Sequence, residues 1–436
     1  MNRSVAMKYI LKIKDSIWVT PVFYCLLAVI LALIAVYTDI NVLPRLDFEL
    51  PFFLATEVDL AKEILGSISG ALLTMTTITF STIMVVLTTY SSQFSPRVLT
   101  NFVNDRRTMR VLGVFMGGFL YSILSLAFMQ QATFEGEVIS AIVAVLLAVL
   151  CLFFFAYFIH FVASSIQVSN LIDSLVDDVK DEIDREGERL DQAHVSVTSL
   201  KPEMVEQYDE TTVLSSESFG FIQFIDHDDL FQWAKKNDAV IRVTPLIGEF
   251  VTTSTEILTI SHGKDVEVPD SLISNVTIGR EQNVYQDVDY GLHKIVDVAL
   301  RALSPGINDP NTAVQCIHYL TEALIKSFKH TGTYVIYHDD RYLGRLITRR
   351  SSVEEKLYNV LSQISFYGRE DVVVLETLLE SMQNIALNSS EDVKQEIRPF
   401  SRYIYDRFDE AVLHEVDHKF INSRKMALDE ALNEAR

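Results

Sequence analysis

The residues with the most suggestive chemistry sit inside an apolar stretch. From Gly66 to Ser92 the chain reads G-S-I-S-G-A-L-L-T-M-T-T-I-T-F-S-T-I-M-V-V-L-T-T-Y-S-S. On a helix, Gly66, Gly70, Thr74, Thr77, Ser81, Thr88 and Ser92 fall near one stripe, broken only at Val85. Two chemistries fit it. Small residues let helices approach closely, with hydroxyls bonding to the preceding turn or across to a neighbour. Turned to water, the same face is a pore wall whose oxygens replace part of an ion's hydration shell. Gly70, Thr74, Thr77, Ser81 and Thr88 are therefore the candidate pore-lining residues. Asp59 and Glu63, just upstream, are candidates for an acidic outer vestibule.

Two other polar groupings stand out. His160 lies near the end of the fourth apolar segment, beside Tyr157. It reads either as an interfacial, snorkelling ring or as a gating or proton-relay histidine. The loop S-P-G-I-N-D-P-N-T-A spans residues 304–313, and Asp309 before Pro310 is an N-cap followed by an N1 proline. Its structural reading is a capped turn between helices. Its functional reading is a polar small-ligand or ion pocket at a helix N-terminus, built from Arg301, Asn308 and Asp309. No zinc-ligand spacing, phosphate-binding loop, nucleophile elbow or C-x-x-C pair is present. No enzyme activity, cofactor or metal is expected.

These residues need elements to position them. The chain has 436 residues, 49% hydrophobic, with net charge −21 and a positive mean hydropathy of +0.21. The two properties are segregated. Residues 1–163 carry ten Lys/Arg and ten Asp/Glu, whereas residues 164–436 carry 27 and 48, so the whole excess of acid lies in the second part. A disordered, collagen-like or disulfide-scaffold chain is excluded. Nucleic-acid binding is not expected, because no basic face is available to displace counterions. Cys25, Cys151 and Cys316 read as reduced, buried thiols.

Four apolar segments, about Ile17–Tyr37, Ile64–Tyr90, Val111–Gln130 and Val138–Ala163, are each long enough to cross a bilayer. The first is too long for a signal-peptide core and is read as retained. Gly113 and Gly117 in the third read as packing residues. Arg3, Lys8, Lys12 and Lys14 precede the first segment, and Arg97, Arg106, Arg107 and Arg110 fill the loop before the third. The other two loops are acidic: Asp39, Asp47, Glu49, Glu57, Asp59 and Glu63, then Glu135 and Glu137. The excess of basic residues puts both termini in the cytoplasm of a multi-pass inner-membrane protein.

Residues 1–163 are thus expected to form a transmembrane domain. Residues 164–190 read as a helical extension of the fourth span, ended by Gly187. Residues 191–275, with β-branched runs and one helix near Asp228–Lys236, read as a small cytoplasmic β-barrel-like domain. Part of this stretch resembles the barrel of biotinyl-lipoyl domains in shape, without the lysine motif that would carry a covalent cofactor. Residues 276–436 read as a helical domain, clearest at Asp289–Ala302, Pro310–Phe328 and Ser352–Ser365. The fold class is an α-helical membrane domain with four transmembrane helices plus a cytoplasmic α+β domain.

Two stretches carry a wider resemblance. T-M-T-T-I-T-F-S-T-I-M-V-V-L-T-T-Y-S-S-Q-F-S-P-R-V-L (74–99) and D-Y-G-L-H-K-I-V-D-V-A-L-R-A-L-S-P-G-I-N-D-P-N-T-A (289–313) resemble the bacterial predicted-membrane-protein family of domain of unknown function 2254. The resemblance covers about residues 10–420. It implies the architecture and carries no chemistry. A homo-oligomeric channel passing monovalent cations, with the second helix lining the pore and the cytoplasmic domain regulating it, accounts for the hydroxyl stripe without a nucleotide motif. A membrane-anchored sensor or scaffold binding a small ligand or partner, or a secondary transporter, are the alternatives. The partners expected are the lipid bilayer, further copies of the chain and inorganic ions.

Overall fold

The computed structural model describes residues 18–45, 55–93, 97, 106–131, 137–165, 167–202, 208, 210–408 and 414–433. Arg3, Lys8, Lys12, Lys14, Asp47, Glu49 and Glu135, among the charges counted above, lie outside these residues. The chain divides into two compact units, residues 11–170 and residues 171–436.

The first unit consists of α1 (Val19–Tyr37), α2 (Val58–Gln93), α3 (Arg106–Gln131) and α4 (Ser140–Ser165), with β1 (Thr56–Glu57) and β2 (Glu137–Val138) between them. All four helices are long and apolar enough to cross a membrane. Helix α3 packs against the other three. Its glycines make that approach possible: a Cβ on Gly113 would stand 2.9 Å from Pro21 Cα, and one on Gly117 3.1 Å from the Tyr24 carbonyl oxygen. Ala28, Ala32 and Ala35 of α1 complete the close contact. Leu26, Ile30, Leu146, Leu152 and Phe153 face outward, as a lipid solvent requires.

Asp39 ties the α1–α2 and α3–α4 connections together. It lies in a π-turn (Thr38–Val42) that ends α1 and is only 3% exposed. Its carboxylate accepts hydrogen bonds from Ile139 N at 2.8 Å, Ser140 N at 3.3 Å and Ser140 Oγ at 2.5 Å. A carboxylate at a helix N-terminus satisfies orphan amides and meets the positive end of the dipole. Asp39, counted above with the outer-loop charges, is therefore the cap of α4. Beside it, β1 pairs antiparallel with β2.

The second unit opens with α5 (Val168–Leu190), whose apolar side carries Leu171, Leu175, Val179 and Ile183. The chain bends at Gln167, so α4 and α5 are two helices rather than one. Gly187 does not end α5. The helix continues to Leu190, with Asp191 N donating to Gly187 O at 2.9 Å. A mid-helix glycine costs only about 1 kcal/mol, which tertiary packing overrides.

Eleven strands in all are described, and nine of them form two open sheets in this unit. Six strands run in the order β3 (Val195–Thr198), β10 (Tyr334–His338), β11 (Gly344–Arg349), β6 (Val240–Val243), β8 (Glu256–His262) and β4 (Glu210–Ser215). The β11–β6 pair is parallel and the others are antiparallel. A second sheet has the order β7 (Phe250–Val251), β5 (Gly220–Ile225) and β9 (Val276–Gly279). No closed barrel forms among the described residues, which corrects the barrel expected for 191–275. The six-stranded sheet is completed by β10 and β11, which come from 334–349, within the stretch read as helical. Their alternating apolar residues Val335, Tyr337 and Leu346 enter the same core as Ile241, Ile257 and Leu258.

Helix α6 (His227–Lys236) is capped by Asp226. Six helices follow: α7 (Val288–Ala302), α8 (Pro310–Ser327), α9 (Val353–Tyr367), α10 (Val372–Leu387), α11 (Glu391–Tyr405) and α12 (Glu415–Asn433). Asp287, Asp309 and Asp371 cap α7, α8 and α10, while Ser352 and Glu355 form a full capping box on α9.

Candidate functional site

Helix α2 turns its small, hydroxyl-bearing face away from its own bundle. Gly70, Thr74, Thr77, Ser81 and Thr88 are all exposed, and Glu63 and Ser67 continue the same face. A Cβ placed on Gly66 or Gly70 would meet no atom within 4 Å, in contrast to Gly113 and Gly117. Packing within the single chain therefore does not account for these two glycines.

The threonines have a defined chemistry. Thr74, Thr77 and Thr88 donate their hydroxyl protons to the carbonyls of Gly70, Leu73 and Met84, at 2.9, 3.0 and 2.9 Å. Such bonds satisfy the donor within the helix. What the face then offers outward is oxygen lone pairs, which suit a cation rather than an anion. Asp59 is exposed and pairs with Lys62 at 3.3 Å. Glu63 stands at the rim of an apolar groove of about 610 Å³ between α2 and α4, which Ser67, Ala71, Met75 and Val149 also line. The side chain of Ser92 lies outside the described residues.

His160 is exposed on α4, and its carbonyl accepts from Ser164 Oγ at 2.8 Å. Tyr157 stacks on Phe161 with centroids 6.4 Å apart. The 304–313 loop uses its polar groups on itself. Asp309 accepts from Thr312 N at 3.2 Å and Thr312 Oγ1 at 2.6 Å, and Asn308 N donates to Ser304 O at 2.9 Å. Asn308 takes the left-handed conformation, with φ 51°, that asparagine tolerates in such turns. Arg301 is exposed at the end of α7.

The second unit holds a buried charge cluster that sequence reading missed. The end of α5 (Glu186, Arg189), the start of α6 (His227), the start of α7 (Asp287, Asp289) and the β11–α9 segment (Arg349, Arg350, Lys356) enclose a cavity of about 50 Å³. Lys356 Nζ lies 2.6 Å from Asp289 Oδ1, and Arg350 Nε lies 3.3 Å from Glu186 Oε1. Burial pushes Asp287 up to about 7, helped by Asp289 and Glu182 and opposed by the Tyr290 amide and Lys356. Burial also acts to raise Asp289, but Lys356, Ser351 and His293 outweigh it and hold that carboxyl below the usual range. Burial, with Arg189 beside it, holds the His227 imidazole well below its ordinary value, so the ring is neutral. The only sequence signal was D-V-D at 287–289 before an apolar helix. Nothing local to the sequence says that Lys356, 67 positions away, closes over it. Among the described residues, no group of His, Cys, Asp and Glu has the arrangement of a metal site.

Four long apolar helices with a lipid-facing exterior, joined to a charged sheet-and-helix unit, define a multi-pass α-helical membrane protein. More particularly, the chain belongs to the family of predicted membrane proteins DUF2254, which it matches over residues 14–384. Uncharacterized proteins of Mycobacterium tuberculosis and Mycobacterium bovis are 28% identical to it over 396 residues, covering 86% of this chain and 73% of each relative. No solved structure matches it.

Proposed function

We propose that the protein is a subunit of a homo-oligomeric channel for monovalent cations, with α2 lining the pore. One observation carries this reading: the Gly66–Thr88 stripe of α2, small and hydroxylated except at Val85, is unused by its own bundle. A single bundle of three helices packed on α3 is filled by its own side chains, so a pore needs several copies around an axis. Cyclic symmetry then brings Thr74, Thr77 and Ser81 of each copy into rings, with Glu63 at one mouth. Acidic and oxygen-rich linings favour cations. The distribution of Lys and Arg supports an inner-membrane location with both termini cytoplasmic. A cysteine at Asn41 then labels from outside intact cells, and labelling only after lysis reverses the orientation.

The test is the reversal potential of the purified, reconstituted protein under a tenfold KCl gradient. The expected value lies near the potassium equilibrium potential. A value near the chloride potential rejects the cation reading.

A further inference from the structure

The inner end of the bundle carries a second feature, separate from the α2 face. Arg107 and Arg110 lie one turn apart at the start of α3 and are both exposed. Together with Val111 they form one wall of a groove of about 320 Å³, whose other wall is Phe153, Phe154 and Tyr157 of α4. The groove is apolar along its length and basic at one end. Phe153 is 70% exposed and Tyr157 45% exposed, so the described residues leave this aromatic surface uncovered. Arg107 is held in place, with its guanidinium carbon 5.7 Å from the centroid of Phe161, which stacks in turn on Tyr157.

An isolated apolar groove on a membrane helix accepts any acyl chain. Two guanidinium groups at the end of one are more selective. Arginine presents a planar fork of donors that fits phosphate oxygens in pairs, and it is weakly hydrated, so it enters an interface at little cost. The i, i+3 spacing puts both forks on one side of α3, where a single phosphate can accept from both. Basic pockets between transmembrane helices recognise anionic headgroups on this principle. A soluble anion would use the arginines and leave the aromatic groove empty. A zwitterionic lipid would use the groove but bring its own ammonium beside the phosphate, which cancels the headgroup charge and competes with the arginines.

We infer that the α3–α4 groove is a binding site for one anionic glycerophospholipid, with its phosphate between Arg107 and Arg110 and an acyl chain along Phe153, Phe154 and Tyr157. The site lies within the four-helix unit and does not depend on ion conduction.

The test uses the purified full-length protein in detergent, titrated with dioleoyl phosphatidylglycerol or dioleoyl phosphatidylcholine and read by native mass spectrometry. The acyl chains are identical, so the ratio of first-lipid affinities isolates the headgroup. Roughly tenfold preference for phosphatidylglycerol is expected from two basic contacts, and Arg107→Gln/Arg110→Gln brings the ratio to about one. Phe154→Trp, which fills the groove and keeps both arginines, lowers binding of both lipids without changing their ratio. Equal affinity in the native protein overturns the inference, and that comparison stands even where the double variant does not fold. A preference that survives Arg107→Gln/Arg110→Gln overturns it as well, by placing the headgroup elsewhere. Displacement of phosphatidylglycerol by millimolar inorganic phosphate assigns the arginines to a soluble anion and also rejects it.

Discussion

Replacing Asp289 by Ala is expected to destabilise the second unit by about 3 kcal/mol, the effect of breaking a buried ion pair from one side. The Lys356 side chain is 5% exposed and its ammonium sits 2.6 Å from Asp289 Oδ1. Without that carboxylate, a cation stays buried with its nearest counter-charge gone, and Ser351 Oγ loses its acceptor. The partner substitution is milder. Asp289 keeps 28% of its side-chain surface exposed, so after Lys356→Met it turns toward water at a cost of about 1 kcal/mol. Asp289→Ala/Lys356→Met should then be more stable than Asp289→Ala alone, because both charges are removed together. Urea denaturation followed by Trp233 fluorescence in a Trp18→Phe background reads this unit selectively. Additive single and double effects would mean that the pair does not interact.

The second large effect is a pH dependence set by Asp287. Its carboxyl titrates near 7 in the folded protein, against about 4 in an unfolded chain. Between these values the folded state binds the proton and the unfolded state does not. Stability is therefore lost as pH rises from about 4 to about 7, and the loss is complete above 7. Asp287→Asn keeps the acceptor for the Tyr290 amide, which Oδ1 now receives at 2.8 Å, and removes the charge. The variant should be more stable than the native protein at pH 8, by about 2–4 kcal/mol, with a difference near zero at pH 4. A thermal midpoint series across this range reads the crossover. An equal change at both pH values would show that Asp287 is charged throughout.

The two units were unequally legible in the sequence. The spans were visible because a lipid solvent demands about 20 apolar residues in a row, and no soluble packing imitates that. The capped helices were legible for a local reason as well: Asp309–Pro310 and Ser352–Glu355 signal within four residues. Asp39 was visible as an acid in a loop, but its role was not, because the amides that it caps lie about 100 residues later. The sheet was misread for a similar reason. Strand β3 is distant in sequence from β10 and β11, and the Tyr334–Arg349 hairpin was absorbed into a helical run. The α2 stripe was legible as a pattern. Whether it packs inside its own chain could be decided only from the open space around Gly66 and Gly70.

The most direct test of the channel reading is potassium flux through proteoliposomes holding the native protein or Thr77→Leu/Ser81→Leu. Both positions are exposed in the single chain, so the leucines disturb no packing within it. The account predicts flux from the native protein, and at least a tenfold loss in the variant with its oligomeric mass unchanged. Absence of flux from an oligomeric native protein, or equal flux from both, contradicts it.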